Sequence, residues 1–185
     1  MNQKHISLED DTKESVSLLV ERRVPWLFAG LLGGIALIFI SSKFETLLSR
    51  NISLAFFIPI IVYMSDAIGT QAQTIFIRNS AKAKVKFPIY MIKEFAVGAI
   101  LGLIFGLILG VLALFWFKSN DVAFSVGLAM FVNLAFAPVL ALLVTRILQK
   151  EKTDPALGSG PFSTILQDLI SLLIYFLIAT LIIFP

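Results

Sequence analysis

The acids that stand in or beside apolar runs have the most chemistry to offer. Asp66 sits in Tyr63-Met64-Ser65-Asp66-Ala67-Ile68-Gly69-Thr70-Gln71, with Gln73 and Thr74 just beyond, and Asp168 sits in an apolar run that continues to Pro185. A carboxylate placed among hydrocarbon is expensive; such residues line ion or proton paths or are paired to hold a bundle together. Gly160, Thr164 and Asp168 recur every four residues and so share one helical face. Upstream, Asp154 followed by Pro155 reads as an N-cap with proline at the first helical position. Gly158, Ser159, Gly160 and Pro161 are expected to interrupt that helix almost at once, freeing backbone oxygens such as the carbonyl of Leu157. Carbonyls, a hydroxyl and a carboxylate on one face are hard oxygen ligands, suited to magnesium, calcium, manganese or sodium. Glu94 beside Lys93 reads either as a helix N-terminal acid in an interfacial pair or as an acid at the inner mouth of a cation path. For Asp66 the bland alternative is a bond to Gln71, Asn133 or a helix end. Asn133 itself is either interhelical glue or a polar group of a pore.

Composition narrows what these acids can serve. The chain has 185 residues, 58% of them hydrophobic, and a mean hydropathy of +0.92, which is the composition of a polytopic membrane protein. It contains no cysteine, which excludes thiolate metal sites, disulfides and thiol redox chemistry. Its single histidine, His5, lies in the polar N-terminal segment. There is no phosphate-binding glycine loop, no His-Glu-x-x-His, no Ser-His or Ser-Lys pairing and no haem ligand pair, so the chain does not read as an enzyme. A formal charge of +3 does not suggest nucleic acid as a partner.

Five apolar runs are each near the ~20 residues that cross a bilayer: about 24–42, 53–77, 94–117, 122–145 and 161–184. The fold class is therefore an all-α membrane protein with five transmembrane helices, preceded by a polar N-terminal segment, 1–23. Val16, Leu18, Leu19 and Val20 form either a short amphipathic helix on the membrane or part of a solvated tail. Of the 15 lysines and arginines, only Lys43, Arg50 and Lys118 fall on the side opposite the N-terminus. That bias puts the N-terminus and the Asp154 loop in the cytoplasm and Pro185 outside. Counted from the inner ends of their runs, Asp66 lies roughly 17 Å deep and Asp168 roughly 10 Å, at 1.5 Å per residue. Those depths suit one water-filled path but not a single shared ion site. Gly98, Gly102, Gly106 and Gly110 recur every four residues, a small-residue stripe for close helix packing against a helix of the same chain or of another.

From about Arg23 to Pro185 the chain resembles the membrane domain of the MgtE family of magnesium channels and transporters. The resemblance rests on Pro25-Trp26-Leu27, Phe44-Glu45, Phe57-Ile58-Pro59, Gly69-Thr70-Gln71, Lys93-Glu94 with Val97-Gly98, Asn133, and above all Asp154-Pro155-Ala156 followed by Ser159-Gly160-Pro161-Phe162, Thr164 and Asp168. It implies that 24–185 is a membrane domain, that two copies form a homodimer in the cell inner membrane, and that a pore for hydrated Mg2+ runs along their interface. The acid matching Asp168 would supply the central magnesium site from both subunits. Positions matching Gly160 and Thr164 would add oxygens, and those matching Asp154 and Glu94 would lie at the inner mouth. Lipid and a second copy are the implied partners. Two departures stand out. Family members commonly carry Gly-Gly-Asn where this chain has Ser65-Asp66-Ala67, so Asp66 is an added acid and a candidate ligand in its own right. They also commonly begin with a large cytosolic region, including a paired nucleotide-type module that senses magnesium, whereas about 21 polar residues precede the first span here; the usual regulation is not expected to carry over. Other readings are a carrier for another divalent cation or one coupled to protons, and a non-conducting subunit that dimerises through the glycine stripe.

Overall fold

The computed structural model describes the backbone of residues 14–82, 86–150 and 155–184, and the side chains of 14–80, 86–147 and 162–184. Helix α1 spans Val16–Lys43. The Ser15 hydroxyl accepts from the Leu18 N–H at 3.4 Å, satisfying one of the donors that a first turn leaves open. Val16 to Val20 thus form the opening of the first long helix rather than a separate surface helix. The chain then turns at Phe44, whose N–H returns to the Ser41 carbonyl at 3.1 Å. The link expected between the first two spans is itself helical: α2, Glu45–Arg50, has an acid in its first turn and a base in its last, matching the helix dipole. A 3-10 stretch, Ile52–Phe57, leads into α3, Ile58–Lys82.

Helix α4 spans Phe87–Phe117, with proline in its first turn, where a missing N–H removes no helical bond. It closes at Lys118, whose φ of 53° is left-handed and whose N–H reaches the Leu114 carbonyl at 2.9 Å. Helix α5, Asn120–Lys150, follows at once, and the Ser119 hydroxyl accepts from the Val122 N–H at 3.3 Å. Helix α6 spans Pro155–Ile183. The interruption expected at Gly158 to Pro161 does not occur, because the backbone stays helical through all four residues. Proline already holds a helical φ, so it forfeits one donor rather than ending the helix, and membrane bundles tolerate that loss.

Among the described residues every regular element is helical, and five helical stretches are long and apolar enough to cross a membrane: Val16–Lys43, Ile52–Ser80, Phe87–Phe117, Asn120–Ile147 and Phe162–Ile183. Helix α5 is the centre, packed by α3, α4 and α6, while α1 leans mainly on α6. Between helices in lipid, close contact and hydrogen bonds replace the hydrophobic effect as the source of association. The glycine stripe of α4 provides the first. Gly98, Gly102 and Gly106 are buried against the backbone of α5, and a Cβ at Gly102 would lie 2.6 Å from the Phe131 carbonyl oxygen. The partner of the stripe is therefore a helix of the same chain. Hydrogen bonds supply the second. Asn133 Nδ2 donates to the Ser171 carbonyl at 3.2 Å, joining α5 to α6, which settles Asn133 as interhelical glue. Tyr175 Oη donates to the Leu54 carbonyl at 2.7 Å, tying α6 to the 3-10 stretch.

Candidate cation site

A cleft of about 580 Å³ opens between α1, α3 and α6. On α6, Thr164, Asp168 and Leu172 face it; on α3, Ile58, Pro59, Val62, Tyr63 and Asp66 do; α1 closes it with Leu37, Ile38 and Ser41. The four-residue spacing of Thr164, Asp168 and Leu172 puts them on one stripe of α6. Asp66 and Asp168 are both half-buried and close enough for their charges to interact. The cleft wall is otherwise hydrocarbon apart from Ser41, Tyr63 and Thr164. An ion here would meet two carboxylates and few competing dipoles.

This convergence corrects the expectation that the two acids lie too far apart in depth to share a site. The apolar runs end before the helices do. Measured from Lys82 at the end of α3 and from Pro155 at the start of α6, the acids stand about 24 Å and about 20 Å along their helices at 1.5 Å per residue. The difference is less than one turn.

The other candidate residues are placed differently. Thr164 is in the cleft with Asp168. Gly160 belongs to the α6 backbone, but its surroundings, like Asp154 altogether, lie outside the described residues. Glu94 is half-buried on α4, one turn beyond Tyr90, and does not line the cleft.

Sequence reasoning missed a second polar stripe on α6. Ser163, Gln167 and Ser171 are 2%, 1% and 1% exposed and also recur every four residues, one position away from the stripe that faces the cleft. Gln167 Nε2 donates to Asp66 Oδ1 at 3.4 Å and to Ser163 Oγ at 3.2 Å. Ser171 Oγ donates to the Asp168 backbone carbonyl at 3.1 Å. Among the described residues Asp66 therefore pairs with Gln167, not with Gln71, Asn133 or a helix end. Gly69 makes room for this: a Cβ there would collide with Gln167 Oε1 and Cδ. The signal was in the sequence as three polar residues at helical spacing in an apolar run, beside the more conspicuous acid.

Comparison with known proteins bears on what such a cleft serves. The profile of the MgtE family, described as a divalent cation transporter, matches residues 58–178. A magnesium transporter MgtE of Bacillus subtilis is 35% identical over 177 residues, covering 92% of this chain and 38% of that protein. Those of Enterococcus faecalis and Thermus thermophilus are 31% and 30% identical, covering 93% and 86% of this chain and 39% and 36% of their own lengths. The chain thus spans well under half the length of these relatives. With the family profile matched across four of its five long helices, from α3 into α6, this multi-pass membrane protein belongs to the MgtE family of divalent cation transporters.

Proposed function

We propose that the chain passes magnesium ions across a cell inner membrane, as a channel or transporter, along a path formed where two copies of it meet. The observation that carries this reading is the pair of carboxylates, Asp66 and Asp168, facing one cleft inside the membrane-spanning bundle. Magnesium sheds water reluctantly and is usually held through one or two carboxylates with several waters kept. Six waters occupy roughly 180 Å³ at their liquid volume, well within the cleft's 580 Å³. The names of the three relatives support magnesium as the ion. Thr164 adds a hydroxyl beside Asp168. Gly160 keeps its proposed role as an oxygen donor on the Asp168 face, and Asp154 and Glu94 theirs at the inner mouth, with the N-terminus in the cytoplasm as the basic residues favour.

A second copy is proposed because the cleft lies at the side of the bundle, rimmed by Tyr63 and Ile38, which are 66% and 69% exposed. Apposing two clefts would enclose the ion and pair its charge with Asp168 of each subunit. A subunit that dimerises through the glycine stripe is disfavoured, since that stripe is already occupied by α5. The added acid Asp66 favours one wider reading, passage of other divalent cations as well, because a second carboxylate can strip water from larger ions. The test is magnesium uptake into liposomes holding the purified chain, with calcium, manganese and cobalt as competitors. Uptake above that of empty liposomes is expected. Its absence at verified insertion overturns the proposal, and uptake that requires a pH gradient replaces it with a proton-coupled carrier.

A further inference from the structure

Gln167 is an uncharged side chain that the cation path does not touch, yet it is almost wholly buried and reaches from α6 to the acid on α3. Its amide carries two donors on nitrogen and an acceptor on oxygen. Both donors are used, one on Ser163 Oγ and one on Asp66 Oδ1. The oxygen is buried with no hydrogen-bond partner and sits in the notch that Gly69 leaves. An orphaned buried acceptor is costly, and turning the amide over would relieve nothing, because its oxygen would then meet the carboxylate oxygen. The direction of the amide is therefore dictated by the carboxylate it serves.

The bond is also well placed to fix where that carboxylate points. Asp66 faces the cleft with one oxygen tethered behind it by a group on the same helix that carries Asp168 and Thr164. Ser171, one turn further along the buried stripe, holds the Asp168 backbone carbonyl, and Asn133 of α5 holds the Ser171 carbonyl. Residues that bind nothing themselves but orient the ligands of a metal commonly govern its affinity. We infer that Gln167 is a positioning residue for Asp66, setting the geometry of the two-carboxylate cleft and, through it, the strength and selectivity of divalent cation binding. The inference rests on the reading of the cleft as part of a cation path.

The test compares the whole chain with Gln167→Met, Asp66→Asn and the double variant in detergent, reading the magnesium and calcium concentrations that half-maximally raise the melting temperature. Methionine keeps the length and volume of glutamine without its donors. Gln167→Met is expected to weaken the magnesium midpoint by about tenfold and to shift the magnesium-to-calcium ratio in the same direction as Asp66→Asn. In the double variant it should add less to Asp66→Asn than it does alone, because the charge it orients is gone. An unchanged midpoint and ratio in Gln167→Met, or a fully additive effect in the double variant, overturns the inference. If Gln167→Met does not fold, Gln167→Asn, which retains the amide but falls one methylene short, takes its place with the same expectations. A wild-type chain that neither cation stabilises overturns the cation reading of the cleft itself, so the two failures are distinguishable.

Discussion

Asp168 and Asp66 share a cleft but differ in how they are held, and their variants should differ accordingly. Asp168 has its backbone carbonyl bound by Ser171 and its side chain open to the cleft. Asp168→Ala removes the charge on α6 without touching the buried stripe behind it. Magnesium uptake should fall to the level of empty liposomes while the melting temperature stays near that of the wild type. Uptake at the wild-type rate, at matched reconstitution, would remove Asp168 from the path. Asp66→Asn is a subtler change, because asparagine retains the oxygen that accepts from Gln167. The fold should be kept, while loss of one of the two carboxylates facing the cleft weakens divalent binding by about tenfold, or about 1.4 kcal/mol. With one carboxylate fewer to strip larger ions of water, the magnesium-to-calcium flux ratio should rise. A lowered melting temperature with an unchanged ratio would make Asp66 a structural acid. Asp66 and Asp168 were both conspicuous in the sequence from their apolar surroundings, and the structure brings them to one cleft. Gln167 was visible only as one of three polar residues at helical spacing, and what its amide does depends on a partner 101 residues away in sequence.

The helices were legible in number and order because each needs a hydrocarbon run of bilayer length, and such runs are visible without tertiary knowledge. Their ends were not. Helices α1 and α4 begin at Val16 and Phe87, ahead of the apolar runs predicted from 24 and 94, because capping and helical hydrogen bonding do not stop where hydropathy falls. The same error hid the common depth of the two acids. The α4 stripe was legible as a packing face, and the structure adds a gradient along it. A Cβ would clash with the Leu134 carbonyl at Gly98 and lie 2.6 Å from the Phe131 carbonyl at Gly102, but 3.2 Å from the Ala123 carbonyl at Gly110. Backbone cannot give way as a side-chain tip can, so Gly98→Ala and Gly102→Ala should each cost about 1–3 kcal/mol. Gly110→Ala should be near neutral, since the helix preference of alanine, about 1 kcal/mol over glycine, offsets a mild contact. Thermal denaturation of the three variants in one detergent checks the order, and equal losses at all three positions would show that the α4–α5 contact is not what holds the pair.

At the scale of the whole molecule the bundle is lopsided. Helix α5 is enclosed by its neighbours and α4 is locked to it, whereas α1 has almost no buried surface and the acidic cleft opens beside it. Large apolar side chains outside the core, such as Leu31, Leu107 and Leu181, are suited to lipid. A pair of half-buried carboxylates is not, because a charge exposed toward hydrocarbon is costly unless it meets water, a cation or a partner. The α1–α3–α6 side is therefore the side expected to meet a second copy, with the two clefts facing across a two-fold axis. The chain contains no cysteine, so a single introduced thiol reports on its own position without background. Tyr63→Cys, on the cleft rim, should form a disulfide-linked dimer under mild oxidation, because a residue close to a two-fold axis approaches its own copy. Leu107→Cys on α4, 61% exposed and outside the cleft lining, should remain monomeric under the same conditions if the proposed pairing holds. Magnesium present during oxidation should change the rate for Tyr63→Cys alone, since only that thiol borders the proposed ion path. Cross-linking at Leu107 with none at Tyr63 would move the interface to α4 and leave the acids to be neutralised within one subunit, against the shared path.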